Sequence, residues 1–159
     1  AYDRALELRP DLPRALAGKA RLEFEAGSTS EAIDLFAKAH SIDPVDSGIA
    51  RAYAAALAIG DRKDEARAVL EAVLEETPVD GRAALALGRL LAGKTRESDE
   101  ILALAERATR FEPNASAFDF LAECLEARGE SARAAESRAT AASYREKQTN
   151  DGADSSAHE

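Results

Sequence analysis

The chain has 159 residues, 45% of them hydrophobic and 32% charged, which is long enough for a folded domain and too apolar for disorder throughout. Its net charge of -9 sets it against polyanions, because binding to nucleic acid or an anionic membrane surface would begin with like-charge repulsion. One cysteine excludes an internal disulfide, and no apolar run approaches the ~18 residues that a membrane span needs.

Aromatic residues make up only 5% of the chain and Trp is absent, so a core must be built from small residues and Leu, Ile and Val. That composition suits helices packed close together. Sixteen Arg against five Lys, with abundant Ala, suggests a bacterial source of high genomic GC and leaves cytoplasm and periplasm both open.

The stretch from Glu31 to Pro44, EAIDLFAKAHSIDP, returns along the chain at nearly constant spacing. Prolines close equivalent segments at Pro10, Pro44, Pro78 and Pro113, at intervals of 34, 34 and 35 residues, with Ala5, Ala39, Val73 and Ala108 five positions before them. A period of this length is the mark of a repeat array.

The first twelve residues read as the second helix of a truncated repeat, equivalent to Leu35–Pro44, so the sequence is expected to be a fragment or processed product of a longer array. Tyr2, Ala5, Leu6 and Leu8 of that helix should fray or pack on the next pair alone. A complete unit then spans 13–45. Ala15, Leu16, Ala20 and Leu22, followed by Ile33, Leu35, Phe36 and Ala39, fall at three- and four-residue spacing, which predicts two amphipathic helices broken at Gly27. Ser28 and Glu31 have the spacing of a capping box, and Lys38 and His40 suit the negative end of the second helix.

In the unit 46–79, Ile49, Tyr53, Leu57 and Ile59 mark the first helix, Gly60 and Asp61 the turn, and Ala66, Val69, Leu70 and Val73 the second helix. Asp64 and Glu65 stand in its first turn, where the helix dipole favours carboxylates. The unit 80–113 carries Leu87, Gly88 and Leu91, then Ile101, Leu104, Ala105 and Ala108; Ile101 is bulky for its place and should push the two helices apart unless Gly88 opposite makes room for it. The unit 114–147 opens on Asn114 as a cap and continues with Phe118, Leu121, Ala122 and Leu125, a turn at Gly129, and small residues at Ala134 and Ala141. Arg138 stands where Tyr2 and Phe36 stand earlier, as suits a terminal repeat whose outer face meets water. Residues 148–159 show no apolar period and are expected to form a disordered tail.

In Ala20, Gly27, Ala32, Phe36, Ala39 and Pro44 the chain resembles the tetratricopeptide repeat, a helix-turn-helix module, and the resemblance extends over 1–147. Lys19 and Glu23 depart from it, standing where a leucine and a large aromatic are usual. The resemblance implies an all-α fold, an α-solenoid of antiparallel helix pairs wound into a right-handed superhelix. It also implies that the first helices of successive pairs line a concave groove for an extended peptide or a partner's helix. Carried over by position, the groove residues are Arg14, Ala17, Arg21, Phe24, Arg51, Arg82, Leu85, Arg89, Asp119, Glu123 and Glu126. Arg14 and Arg82 are equivalent, as are Arg21 and Arg89, so a basic stripe is expected over the first three units and an acidic face on the last. Guanidinium groups grip carboxylates in bidentate fashion, which favours an acidic partner segment; the competing reading is that these arginines only solvate the groove. Members that clamp chaperone C-termini use lysines and asparagines there, whereas Asn114 and Asn150 are the only asparagines in this chain and neither falls at such a place.

Nothing in the sequence calls for catalysis, a metal or a cofactor. His40 and His158 are the only histidines, and no Cys or second His lies at ligand spacing; His40 reads as a solvated helix-end residue. Cys124 falls inside an apolar stripe and reads as a buried, inert thiol. Glu75 with Glu76, and Asp99 with Glu100, are sequence neighbours that diverge on a helix and read as solvated faces. The function expected is therefore a protein-interaction scaffold, not an enzyme. The alternatives are an accessory repeat segment of a larger enzyme, such as a transferase or hydroxylase, and an array that self-associates through the edge at Tyr2–Leu8.

Overall fold

The computed structural model describes residues 2–93 and 95–155, and among these the regular structure is helix throughout. The chain forms two compact units, Ala1–Pro78 and Val79–Glu159. The first holds α1 (Tyr2–Leu8), α2 (Pro13–Glu25), α3 (Thr29–Ile42), α4 (Ser47–Ile59) and α5 (Lys63–Glu76). The second holds α6 (Gly81–Leu91), α7 (Asp99–Phe111), α8 (Ala115–Ala127) and α9 (Ser131–Ser155). Within each unit every helix packs on its sequence neighbour, and the first helices of adjacent pairs also touch, α2 on α4 and α6 on α8. Short connections of this kind make neighbouring helices antiparallel.

The helix starts follow a rule written in the prolines. Pro44, Pro78 and Pro113 close one pair, and one or two residues later Asp46, Asp80 and Asn114 cap the next. Asp46 accepts from the amides of Gly48 and Ile49 at 2.9 and 3.1 Å, Asp80 from Ala83 at 2.8 Å, and Asn114 from Ala117 at 3.0 Å. Each such cap contributes about 1 kcal/mol. The second helices start differently. Ser28, Arg62 and Ser98 precede α3, α5 and α7 without any side-chain cap, so the expected capping box at Ser28 and Glu31 does not form. Acidic residues take over that role through the dipole: Glu31 in α3, Asp64 and Glu65 in α5, and Asp99 and Glu100 in α7.

Alanine sets how closely the helices approach. Ala20, Ala32, Ala39 and Ala66 in the first unit, and Ala83, Ala105, Ala117 and Ala141 in the second, are fully buried, and Leu, Ile and Phe fill the spaces between them. Leu16, Ala39 and Ile49 form one such cluster, with Leu6 of α1 packed against it. The first helix therefore rests on the next pair through Leu6, while Leu8 stays exposed.

Two details depart from the sequence-based expectation, and one glycine serves a purpose that the sequence does not show. Gly88 does not make room for Ile101. A Cβ there would lie 2.7 Å from the ring of Phe120, the bulkiest fully buried side chain among the described residues, while Ile101 is buried in the cluster around Ala92, Ala105 and Leu125. Gly60 is not the left-handed residue of its turn: Asp61 takes φ 60°, where Gly27 and Gly129 serve in their own turns at 87° and 79°. Gly60 is needed instead for a close approach, since a Cβ would meet Ile33 Cδ1 at 2.8 Å. Finally, α9 runs on to Ser155, past the expected boundary at 147, so the backbone is helical through most of the segment read as a tail. No proline interrupts it, and local i to i−4 bonding carries the helix on. Residues 156–159 lie outside the described residues.

Candidate functional site

Two stacked first helices offer a wall, and in the first unit that wall closes into a cavity. Asp46 fixes the start of α4, and Pro13 starts α2, so that the two helices run side by side with α1 at one edge. Between them lies a cavity of about 520 Å³. Its floor is Phe36, Ile49, Ala52 and Ala17, and its rim carries Tyr2, Arg14, Arg21 and Asp46. Tyr2 reaches this place because Gly18 has no side chain: a Cβ on Gly18 would overlap the tyrosine ring.

The two rim arginines are differently employed. Arg14 Nε lies 3.6 Å from Asp46 Oδ2, but its side chain is 89% exposed and Asp46 Oδ1 is already occupied by the helix cap. Arg21 is exposed and makes no ion pair or hydrogen bond among the described residues. A free guanidinium beside an apolar floor can take a carboxylate without first breaking an internal pair.

The other groove positions taken from the sequence are placed as follows. Phe24 and Arg51 are half-buried on α2 and α4 outside the cavity lining, and Arg51 Nε donates to the Ser47 carbonyl at 3.1 Å. In the second unit Arg82 lies 3.4 Å from Glu112. Arg89 donates to Ser116 Oγ at 2.8 Å and its carbonyl at 3.2 Å, and its guanidinium sits 5.9 Å from the centre of the Phe120 ring. Leu85 is half-buried against the cluster around Phe120. The expected acidic face is neutralised: Asp119 pairs with Arg145, Glu123 with Arg96 at 3.5 Å, and Glu126 with Arg138 in a two-pronged contact. The hydrogen bonds from Arg138 hold the Glu126 carboxyl below the usual carboxylate range.

Sequence reasoning missed Tyr2, Phe36 and Ile49 as parts of this site, having assigned them to the apolar stripes. It also missed Phe120. The signal for Tyr2 was Gly18, a residue that a helix interior otherwise disfavours. Lys19 and Glu23 are half-buried and line a separate cleft of about 300 Å³ with Glu31, Asp34, Leu35 and Lys38, so their stems do lie along the seam. Another cavity of about 400 Å³ is bounded by Val45, Val69, Ala72, Val73, Glu76 and His40.

His40 is less solvated than its place at a helix end implies. It is half-buried, its ring lies 5.8 Å from that of Tyr53, and its Nδ1 is buried without a hydrogen-bond partner. Cys124 is fully buried, and burial pushes its thiol pKa up, with Glu123 adding to the rise and Arg96 opposing it. Of the paired carboxylates, Asp99 is bonded to Arg128 at 2.7 Å. Among the described residues no group of three His, Cys, Asp or Glu could hold a metal ion, and no helix is long and apolar enough to cross a membrane.

Residues 23–91 match the family described as Tetratricopeptide repeat. Solved structures similar to this chain have that fold as well. TTC0263, a thermophilic tetratricopeptide-repeat protein of Thermus thermophilus, is 21% identical with a TM-score of 0.77, covering 94% of this chain and 82% of its own. YrrB, a tetratricopeptide-repeat protein with an unusual peptide-binding site, is 24% identical with a TM-score of 0.64, covering 88% and 72%. The first such domain of Spaghetti (RPAP3), solved with the HSP90 peptide SRMEEVD, is 22% identical with a TM-score of 0.65, covering 72% and 91%. No curated protein matches the chain in sequence. The protein has the tetratricopeptide-repeat fold, and the match to that family runs from the end of α2 to the end of α6.

Proposed function

We propose that this protein is a non-enzymatic interaction scaffold that holds an acidic peptide segment of a partner protein against the wall of α2 and α4. The observation that carries this reading is the cavity of about 520 Å³ in which Arg21, without an internal partner, stands over Phe36, Ile49 and Ala52. A peptide carboxylate meets Arg21 and the outward side of Arg14, while a neighbouring apolar side chain covers the floor. The fold is one in which other proteins bind peptides, as the YrrB and Spaghetti structures are described, and the Spaghetti ligand carries three acids in its last four residues. The donors here are guanidinium groups, since Asn114 is committed to capping α8.

The test is fluorescence anisotropy with a labelled acidic peptide and its lysine-substituted counterpart. Arg21→Glu should weaken the acidic peptide by about tenfold or more, the loss expected of one charge-assisted contact, with helicity unchanged. Arg89→Glu, whose guanidinium is already taken by Ser116, should leave binding close to that of the unaltered chain. Equal affinity of the Arg21→Glu variant for the acidic peptide would remove the proposal.

A further inference from the structure

The acidic ligand class proposed for the α2–α4 groove is also present in this chain, in the sequence that follows Lys147. α9 is 25 residues long and packs on α8, which has 13. The excess of twelve residues is about 18 Å of helix. Among the α9 residues whose burial is described, up to Thr149, the last buried one is Ala141 and the last half-buried one Tyr144, and every side chain from Arg145 to Thr149 is exposed.

The charge of this arm is one-sided. Residues 148–159 hold Asp151, Asp154 and Glu159 and no Lys or Arg. Several acids elsewhere in the chain are held by the fold. Glu71 pairs with Arg67 in α5, Asp80 caps α6, and Glu126 and Glu130 pair with arginines of α9 or of the turn before it. Beyond Lys147 no cation of the segment opposes its carboxylates.

We propose that segment 148–159 of one copy docks in the Arg14 and Arg21 groove of a second copy. The inference rests on the groove reading given above and names its occupant. The segment brings few apolar side chains, Ala153 and Ala157, so the contact is chiefly one of charge and weakens as salt screens it. Each copy carries one arm and one groove, which makes the contact heterologous: two copies exchange arms, or the association propagates.

The experiment is a concentration series of the full chain at low salt, read as mass by sedimentation or light scattering. The unaltered chain should gain mass with concentration and lose it in high salt. Arg21→Glu and the double variant Asp151→Lys, Asp154→Lys should each associate at least about tenfold more weakly, the cost of one lost charged contact. Mixed with each other they should associate again, because an acidic arm then meets a basic groove and a basic arm an acidic groove. A chain that stays monomeric at every concentration, or a double variant that associates as the unaltered chain does, overturns the proposal. Titrating the same proteins with the unrelated acidic peptide separates the two readings. If that peptide still needs Arg21 while the chain is monomeric, only the docking of the arm is lost; if it does not need Arg21, the groove reading falls as well.

Discussion

In the first unit Arg21 meets no carboxylate among the described residues, and Arg14 stands 3.6 Å from an aspartate already committed to a helix cap. In the second unit Asp119, Glu123 and Glu126 each meet an arginine, and Arg89 is held by Ser116. Arginines stand at equivalent positions in the two units, but their availability differs. Exposed pairs of this kind are worth only about 0–1 kcal/mol each, yet they decide whether a guanidinium can serve a ligand. Charge on a groove-facing helix is therefore informative only once its neighbours are known.

The strongest way to break the comparison is through two helix-interior glycines, Gly88 and Gly18. At Gly88 an added Cβ lies 2.7 Å from the ring of Phe120, which is 1% exposed and walled in, so it has nowhere to move. Gly88→Ala should cost about 1–3 kcal/mol by overpacking. At Gly18 the added Cβ meets the ring of Tyr2, which is 38% exposed and can swing aside. Gly18→Ala should cost nothing in denaturant unfolding, gaining helix propensity of about 1 kcal/mol, while it moves Tyr2 off the groove. Equal destabilisation by the two changes would show that both glycines are locked alike.

A smaller effect is expected at the α4–α5 turn. Asp61 holds φ 60°, a conformation that costs an L-residue about 1–2 kcal/mol and an aspartate toward the lower end. Asp61→Gly should raise stability by about 0.5 kcal/mol once the greater freedom of glycine in the unfolded chain is counted. Chemical denaturation of the full chain measures it, and a loss of stability would mean that the carboxylate has a role in the turn.

The smallest effect is that of acid, and it should fall mainly on the second unit. Glu126 of α8 is held below the usual carboxylate range by hydrogen bonds from Arg138 of α9, a pair that joins the two helices; Glu130 is lowered by Arg133 and then Arg128, locally, at the start of α9. In the first unit Glu65 is lowered in the same way by Arg62, but that pair lies within one helix start and joins no two helices. A carboxyl whose folded pKa is depressed adds stability above its unfolded value of about 4.3 and loses it as pH falls through the folded value. Hydrogen exchange at pH 5 and near pH 3 should show α8 and α9 losing protection before α2 and α3. Uniform loss along the chain would assign these pairs no part in local stability.

The arrangement of helix pairs was readable from the period because each pair must bury its apolar stripe on the next, and the prolines, Asp46, Asp80 and Asn114 announce where pairs begin. Side-chain partnership was not readable, since Asp119 and Arg145, or Glu123 and Arg96, lie 26 and 27 positions apart. The glycines show the same divide. A sequence reports that Gly18, Gly60 and Gly88 lack a side chain, but only packing decides that Tyr2, Ile33 and Phe120 take up the space. The sequence by itself determined the repeat, the all-helical fold and the small-residue seams, because these follow from local periodicity and backbone chemistry. Tertiary structure alone decided which guanidinium groups remain free, because an ion pair depends on what the neighbouring helix brings within a few ångströms.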